Sequence, residues 1–108
     1  MHDFAIVFVT VSSREEGEGI ARRLIERGVA PCVNILPACT SIYQWKGEIH
    51  KDDETLMIIK SRSDLFPKVR EIVESLHSYE VPEVIAVPLA NVSEKYRLYL
   101  ESFFAGER

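Results

Sequence analysis

Cys32 and His77 are the side chains of this sequence whose chemistry best suits a transition metal. A thiolate beside an imidazole binds soft or borderline ions such as copper or zinc. No second thiol or imidazole stands at the spacing of a metal clip, however. The favoured alternatives are a small buried strand residue for Cys32 and a partner of the helix dipole for His77. Both residues remain candidate metal ligands.

Cys39 and His2 could contact a metal without forming a dedicated site. Cys39 is seven residues from Cys32 on the same predicted strand, which places the thiols on opposite faces unless a bulge intervenes. His2 can chelate Cu(II) together with a free amino terminus. We expect any such binding to be incidental.

A second set of residues has the character of a small-molecule site. It combines aromatic walls, one cation and two carboxylates, in Trp45, Glu48, Lys60, Tyr79 and Glu83. Such a mixture suits a small polar ligand if the hairpin tip and the loop before the last strand converge at a subunit junction. The alternative is interface packing with an ion pair between chains. The sequence leaves both interpretations open.

The composition predicts one domain spanning residues 1–108. It also argues against two classes of binding partner. Thirteen Lys and Arg against seventeen Asp and Glu give a net charge of -4, which disfavours nucleic acid and anionic membranes. The longest apolar runs are too short to cross a bilayer, and we expect no signal peptide. Two cysteines do not make a disulfide framework. We therefore expect a cytoplasmic protein with no nucleic-acid or membrane partner.

Motifs of catalysis are missing from the sequence. There is no Gly-rich phosphate loop and no nucleophile–His–acid signature. The loop after the first strand, residues 12–16, is mostly acidic beyond its start and is unsuited to cradling an anion. We expect no enzymatic activity.

The elements that must position these residues begin with a β-branched and aromatic strand, Phe4–Val11. Ser13 is predicted to cap the first helix in a capping box with Glu16, and Gly28 is predicted to end it. A second strand follows over residues 29–45.

A long β-hairpin is the largest predicted feature. Pro37 cannot donate to the ladder and predicts a bulge or bend in an edge strand. Lys46 and Gly47 form the turn, and residues 54–60 form the returning strand. The acidic stretch at residues 51–54 is interpreted as a solvated loop.

The second half of the chain completes a ferredoxin-like order. Ser63 is predicted to cap a second helix with Pro67 in its first turn. Pro82 favours extended backbone before a fourth strand at residues 84–89, and Ser93 caps a last helix. The prediction is an α+β fold, a βαββαβ sandwich with a long β2–β3 hairpin and an extra C-terminal helix.

The strands predict an oligomer. Two helices cover one face of such a sheet, yet the first strand is apolar on both faces. The last helix can cover only part of the second face, and the hairpin presents an apolar edge. We expect neighbouring subunits to cover the rest, although these facts do not determine the symmetry.

Several strings in this order and spacing resemble the CutA divalent-cation tolerance family over essentially the whole chain. They are Cys32-Val33-Asn34-Ile35-Leu36-Pro37, Tyr43-x-Trp45-x-Gly47-x-Ile49, Lys60 before the second helix, His77-x-Tyr79-x-x-Pro82-Glu83, and the final helix around Tyr96. The resemblance implies a cytoplasmic homotrimer similar to PII signalling proteins. It also implies a role in tolerance of divalent metals, with binding of Cu2+ or a similar ion and no organic cofactor.

Three positions depart from the pattern of the family. Ser78 stands where Pro is usual, Cys39 where a small non-thiol residue is usual, and Tyr99 where Trp is common. The leading hypothesis is thus a metal-binding tolerance protein without catalysis. The alternative is a PII-like protein that binds a small molecule at subunit clefts and reports to a protein partner.

Overall fold

The computed structural model describes residues 3–106, so His2 lies outside the described residues. Four strands form one antiparallel sheet in the order β2-β3-β1-β4. The elements along the chain are β1 (Phe4–Val11), α1 (Arg14–Glu26), β2 (Cys32–Trp45), β3 (Glu48–Arg62), α2 (Phe66–Leu76), β4 (Val84–Pro88) and α3 (Glu94–Phe104). The predicted α+β fold, with its ferredoxin-like order, long hairpin and extra C-terminal helix, is confirmed.

One face of the sheet packs against α1 and α2 and forms the core. Alternate residues of the two central strands point to this face, including Val7, Val9, Met57 and Ile59, which are fully buried. Leu24 of α1 packs among them. Because burial of each such side chain contributes about 1.5–3 kcal/mol, this face holds the subunit together.

The opposite face is covered only in part. α3 lies at one end, where the Phe104 ring stacks on Phe4 with centroids 6.3 Å apart. Ile85 and Val87 of β4 stand opposite Phe8 and Ile6 of β1, so they share this second face. Ile85 is 53% exposed and Val87 is 46% exposed. An apolar surface therefore remains open to solvent in the single chain.

The hairpin extends beyond the rest of the sheet because β2 and β3 are 14 and 15 residues long. A register shift between Leu36 and Cys39 marks the bulge that Pro37 predicted, and Ala38 there has a φ of 65°. Lys46 and Gly47 both have positive φ, 51° and 81°, as a two-residue type I′ turn requires. The predicted bend and turn are both present.

The bulge also decides where the two thiols point. Cys32 pairs with Lys60 and Cys39 with Glu54. These partners are six residues apart on β3, so the inserted residue returns Cys39 to the face of Cys32. The thiols are still separated by roughly 20 Å along the strand, and both are free.

Three predicted element boundaries were wrong. Ser63 does not cap α2: it begins a short 3-10 turn, Ser63–Leu65, and α2 starts after Leu65 without a side-chain cap. Arg62 binds Asp64 at 2.7 Å and stabilises this turn instead. The acidic stretch at residues 51–54 is not a loop but part of β3. β2 begins at Cys32 rather than at Val29, whose carbonyl accepts a hydrogen bond from the Ser61 hydroxyl at 2.6 Å.

None of the helices within the described residues combines the length and apolar character needed to cross a bilayer.

Candidate functional site

A concave site lies between the hairpin and the loop before β4, and we call it the hairpin pocket. Its volume is about 600 Å³. It is lined by Thr10, Ser41, Ile42, Tyr43, Trp45, Asp52, Glu54, Tyr79, Glu80, Val81 and Glu83. This size falls within the range of small-molecule sites in proteins.

Two residues that line the hairpin pocket, Tyr79 and Glu54, are joined by a hydrogen bond. The Tyr79 hydroxyl donates to Glu54 Oε2 at 2.6 Å, and Glu54 is only 8% exposed. Burial, and then the neighbouring Glu54 carboxylate, raise the pKa of Tyr79 well above its ordinary value of 10.0. The phenol therefore stays protonated and serves as a hydrogen-bond donor at any physiological pH.

His77 fixes the loop that carries Tyr79. Its side chain is fully buried. Nδ1 accepts from the Tyr79 backbone N–H at 3.1 Å, and Nε2 lies 2.7 Å from the Thr10 carbonyl oxygen. A nitrogen that accepts cannot carry a proton, so Nε2 is the nitrogen that donates to the Thr10 carbonyl. The imidazole thereby joins the end of α2 to β1.

Glu16 holds the same loop from the other side. Its Oε2 accepts from the Ser78 backbone N–H at 2.7 Å, and its Oε1 accepts from the backbone N–H and hydroxyl of Ser12. Burial opposes ionisation, but the hydrogen bonds from Ser12 and Ser78 hold the pKa of Glu16 below its ordinary value. Ser13 caps α1 through Glu16 N–H as predicted. Glu16, however, bonds Ser12 rather than completing the capping box.

Lys60 belongs to a separate cluster beneath α3. Its Nζ contacts Asn34 Oδ1 and lies 3.8 Å from Cys32 Sγ. The Tyr99 hydroxyl donates to the Pro31 carbonyl at 3.4 Å beside them. Burial, and then the nearby Cys32, raise the pKa of Tyr96. The polar contacts of this cluster link β2, β3 and the last helix.

The five residues predicted as a ligand site are thus divided. Trp45, Tyr79 and Glu83 line the hairpin pocket. Glu48 pairs across the turn with Trp45 but is not part of the lining. Lys60 is six residues from Glu54 on β3, roughly 20 Å away. The structure brings three of the five together and separates the cation from them.

Several lining residues were not predicted as part of the ligand site, notably Tyr43, Asp52, Glu54 and Glu80. Asp52 lies in a stretch that was interpreted as a loop, and Glu54 lies where that stretch meets the predicted returning strand. Their spacing of two, typical of one strand face, was the signal that could have identified them.

The two candidate metal ligands also lie apart. His77 bonds Thr10, which pairs with Leu56, whereas Cys32 pairs with Lys60, four residues further along β3. Within residues 3–106, no group of three or more His, Cys, Asp or Glu side chains is placed to hold a metal ion. A complete site that uses Cys32 or His77 would need donors from a neighbouring chain.

Comparison with known proteins gives one consistent result. Residues 5–102 match the family model described as CutA1 divalent ion tolerance protein. The divalent-cation tolerance protein CutA of Thermus thermophilus is 45% identical over 91 residues, which make up 84% of this chain and 88% of that protein. The chloroplastic protein CutA of Arabidopsis thaliana is 42% identical over 97 residues, or 90% of this chain and 53% of that protein. The chain thus spans about half the length of that relative.

Solved structures agree in fold. The structure of the periplasmic divalent cation tolerance protein CutA from Archaeoglobus fulgidus superposes with a TM-score of 0.88 at 38% identity. The similarity covers 96% of this chain and 99% of the other.

Proposed function

Since this chain belongs to the CutA1 divalent ion tolerance family, we propose that it is a cytoplasmic homotrimer that contributes to tolerance of divalent metal ions, copper among them, without catalysis. The observation that carries the proposal is the family match over residues 5–102. No name among the matched relatives described above denotes an enzyme. Their names concern divalent-cation tolerance, which is compatible with binding of a metal ion.

Two features of the subunit support an assembly. The second sheet face leaves Ile85 and Val87 exposed, and β2 is an edge strand with Ile42 70% exposed. An apolar face and an open strand edge both favour pairing with another chain. Light scattering of the purified protein is expected to give three times the mass of the chain.

Cys32 is the better placed of the two proposed metal ligands. Its thiol is partly exposed and lies near a sheet face that a neighbour would cover. His77 would have to give up its bond to Thr10 or to Tyr79 before it could coordinate a metal. We therefore expect thiols brought together by several chains to contribute more to copper binding than the imidazole.

A buffered titration with Cu(II) and Zn(II) tests the metal-binding proposal. The amino terminus is blocked so that His2 cannot chelate, and the oligomer mass is recorded in the same sample. Saturable binding tighter than about micromolar, roughly 8 kcal/mol, is expected at a fixed number of ions per trimer.

Two variants assign the ligand. Cys32→Ser is expected to weaken binding at least tenfold, a loss of about 1.4 kcal/mol. Cys39→Ser is the matched control, because it removes the other free thiol. Equal affinity of wild type, Cys32→Ser and His77→Ala would exclude both residues as ligands.

The location in the cytoplasm is proposed from the two free thiols, since reduced cysteines are typical of that compartment. A matched structure is described as periplasmic and a matched relative as chloroplastic. Cell fractionation with an antibody to the chain decides between these compartments.

The second candidate function is that of a PII-like protein that binds a small molecule and reports to a protein partner. The hairpin pocket favours it, because Trp45, Tyr79 and Glu83 line a concave site of suitable volume. Ligand-dependent recovery of one partner from a lysate would support this function.

A further inference from the structure

We propose that the hairpin pocket binds a small organic cation whose ammonium groups are spaced along a carbon chain. The inference rests on the second candidate function, a small-molecule site in this pocket, and adds the chemical class of the ligand. Three properties of the pocket lead to it: the sign of its charge, its aromatic walls, and the spread of its carboxylates.

The charge of the lining is of one sign. Four carboxylates, those of Asp52, Glu54, Glu80 and Glu83, line the pocket. Among the residues that the structure describes, no Lys, Arg or His belongs to this lining. Hydrogen bonding to Asp52 raises the pKa of Tyr43 as well, which is the effect expected beside negative charge. The pocket is therefore complementary to a cation and repels an anion.

Glu54 is the buried member of these four carboxylates. It is 8% exposed, and it accepts a hydrogen bond from a neutral donor, the Tyr79 hydroxyl. Burial of a carboxylate is costly unless a cation or several donors compensate it. An ammonium group in the pocket would add a charged partner to the neutral Tyr79 hydroxyl that Glu54 already binds.

The walls are aromatic. Tyr43, Trp45 and Tyr79 contribute three rings to the lining. Aromatic faces attract ammonium groups within about 6 Å of the ring centroid. Trp45 already shows this chemistry, because the Nζ of Lys46 lies 5.7 Å from its ring centroid. The rings also give a carbon chain apolar surface to contact.

The carboxylates are too dispersed for a bare metal ion. Calcium or magnesium requires oxygen ligands that converge to within about 2.0–2.6 Å of one point. No three acidic side chains of the described residues do so. In a pocket of about 600 Å³, a carbon chain can instead bring separate ammonium groups to separate carboxylates. The geometry thus favours an organic polycation over a metal.

Trp45 makes the test direct, because it is the chain's one tryptophan and lines the pocket. The full-length protein, at constant ionic strength, is titrated with spermidine while tryptophan emission is recorded. Triethylene glycol serves as a neutral chain, malate as an organic anion and Mg²⁺ as a compact cation. A saturable change in emission with spermidine alone is expected.

Variants locate the binding. The double variant Glu80→Gln and Glu83→Gln is expected to weaken spermidine binding about tenfold, because two of the four lining carboxylates lose their charge. Glu71→Gln is the matched control, since this exposed residue of α2 lies outside the pocket. Equal weakening in both would overturn the inference, because it would mean nonspecific attraction to an acidic protein.

The outcomes test two questions separately: whether the ligand is a cation, and whether the pocket is a small-molecule site at all. A saturable response to malate or to the glycol, with none to spermidine, would overturn the cationic ligand and leave a small-molecule site in place. An equal response to Mg²⁺ would overturn it by showing simple charge screening. No response to any probe, with Trp45 shielded from acrylamide quenching, would refute both proposals, because a second copy of the chain would then fill the pocket.

Discussion

The imidazole of His77 joins three parts of the chain through its two nitrogens. It connects the end of α2 to the carbonyl of Thr10 and to the backbone of Tyr79. Sequence reasoning placed it correctly at a helix end, but a long-range partner 67 residues away could not be predicted from local spacing. Its position makes it a structural support of the hairpin pocket.

Replacing His77 with Gln tests this role. A single amide cannot reproduce both ring contacts, so we expect the free energy of unfolding to fall by about 1–3 kcal/mol. Urea denaturation measures it. His50→Gln, on the hairpin, is the control and is expected to change stability by less than about 0.5 kcal/mol. Unchanged stability of His77→Gln would contradict the structural role.

Glu16 predicts a pH dependence of stability. Because hydrogen bonds lower its pKa in the folded state below 4.5, the ionised carboxylate stabilises the fold above that value. This contribution is lost as the pH falls through the lowered folded value. Urea titrations between neutral and acidic pH should show the loss in wild type and a smaller one in Glu16→Gln. Parallel curves for the two proteins would exclude this residue as the cause.

At the scale of elements, the β2–β3 hairpin is defined by its turn and its bulge. Both could be predicted, because Pro37 lacks an N–H and Lys46-Gly47 suits a tight turn. The start of β3 at Glu48 could not, because acidic residues rarely favour strands. In the hairpin those residues gain a long partner strand, and tertiary pairing overrides their local preference.

Two glycines give opposite predictions for the same substitution. Gly47 has a φ of 81° in the turn, so Gly47→Ala is expected to cost about 1–2 kcal/mol. Gly19 lies within α1, and a methyl group there meets nothing within 4 Å. Gly19→Ala should therefore stabilise the protein by about 1 kcal/mol. Thermal unfolding of the two variants checks the contrast, and shifts of the same sign would refute it.

The candidate site was less predictable than the fold. Trp45, Tyr79 and Glu83 could be selected because aromatic and acidic side chains near a turn are typical of ligand sites. Lys60 was grouped with them even though the rise per residue of a strand places it roughly 20 Å from Glu54 along β3. Its register with Cys32 directs it to the cluster under α3 instead.

At the scale of the whole molecule, the uncovered sheet face decides how the subunit behaves. The two-sided apolar pattern of β1 predicted such a face, and the exposed Ile85 and Val87 lie on it. A single subunit cannot bury these residues, since α3 occupies only one end of the face. Contact with further copies of the chain would remove them from water.

Placing a charge on this face tests the assembly. Ile85→Lys is expected to dissociate the oligomer, because an unpaired ammonium would be buried in an apolar interface. Sedimentation and light scattering measure the mass. Ile25→Lys is the control, since Ile25 is a partly exposed residue of α1 on the other side of the sheet. An intact oligomer in Ile85→Lys would place the interface elsewhere.

The strand order β2-β3-β1-β4 has a kinetic consequence. β1 is central, yet both of its partners follow much later in the chain, with Phe4 opposite Arg62 and Ala5 opposite Pro88. Closing such long loops costs chain entropy before any contact compensates it, so mixed α/β chains of this topology fold more slowly than helical bundles, whose contacts are local. The hairpin can form within microseconds. During synthesis, β1 therefore emerges first and stays unpaired until the rest of the sheet exists.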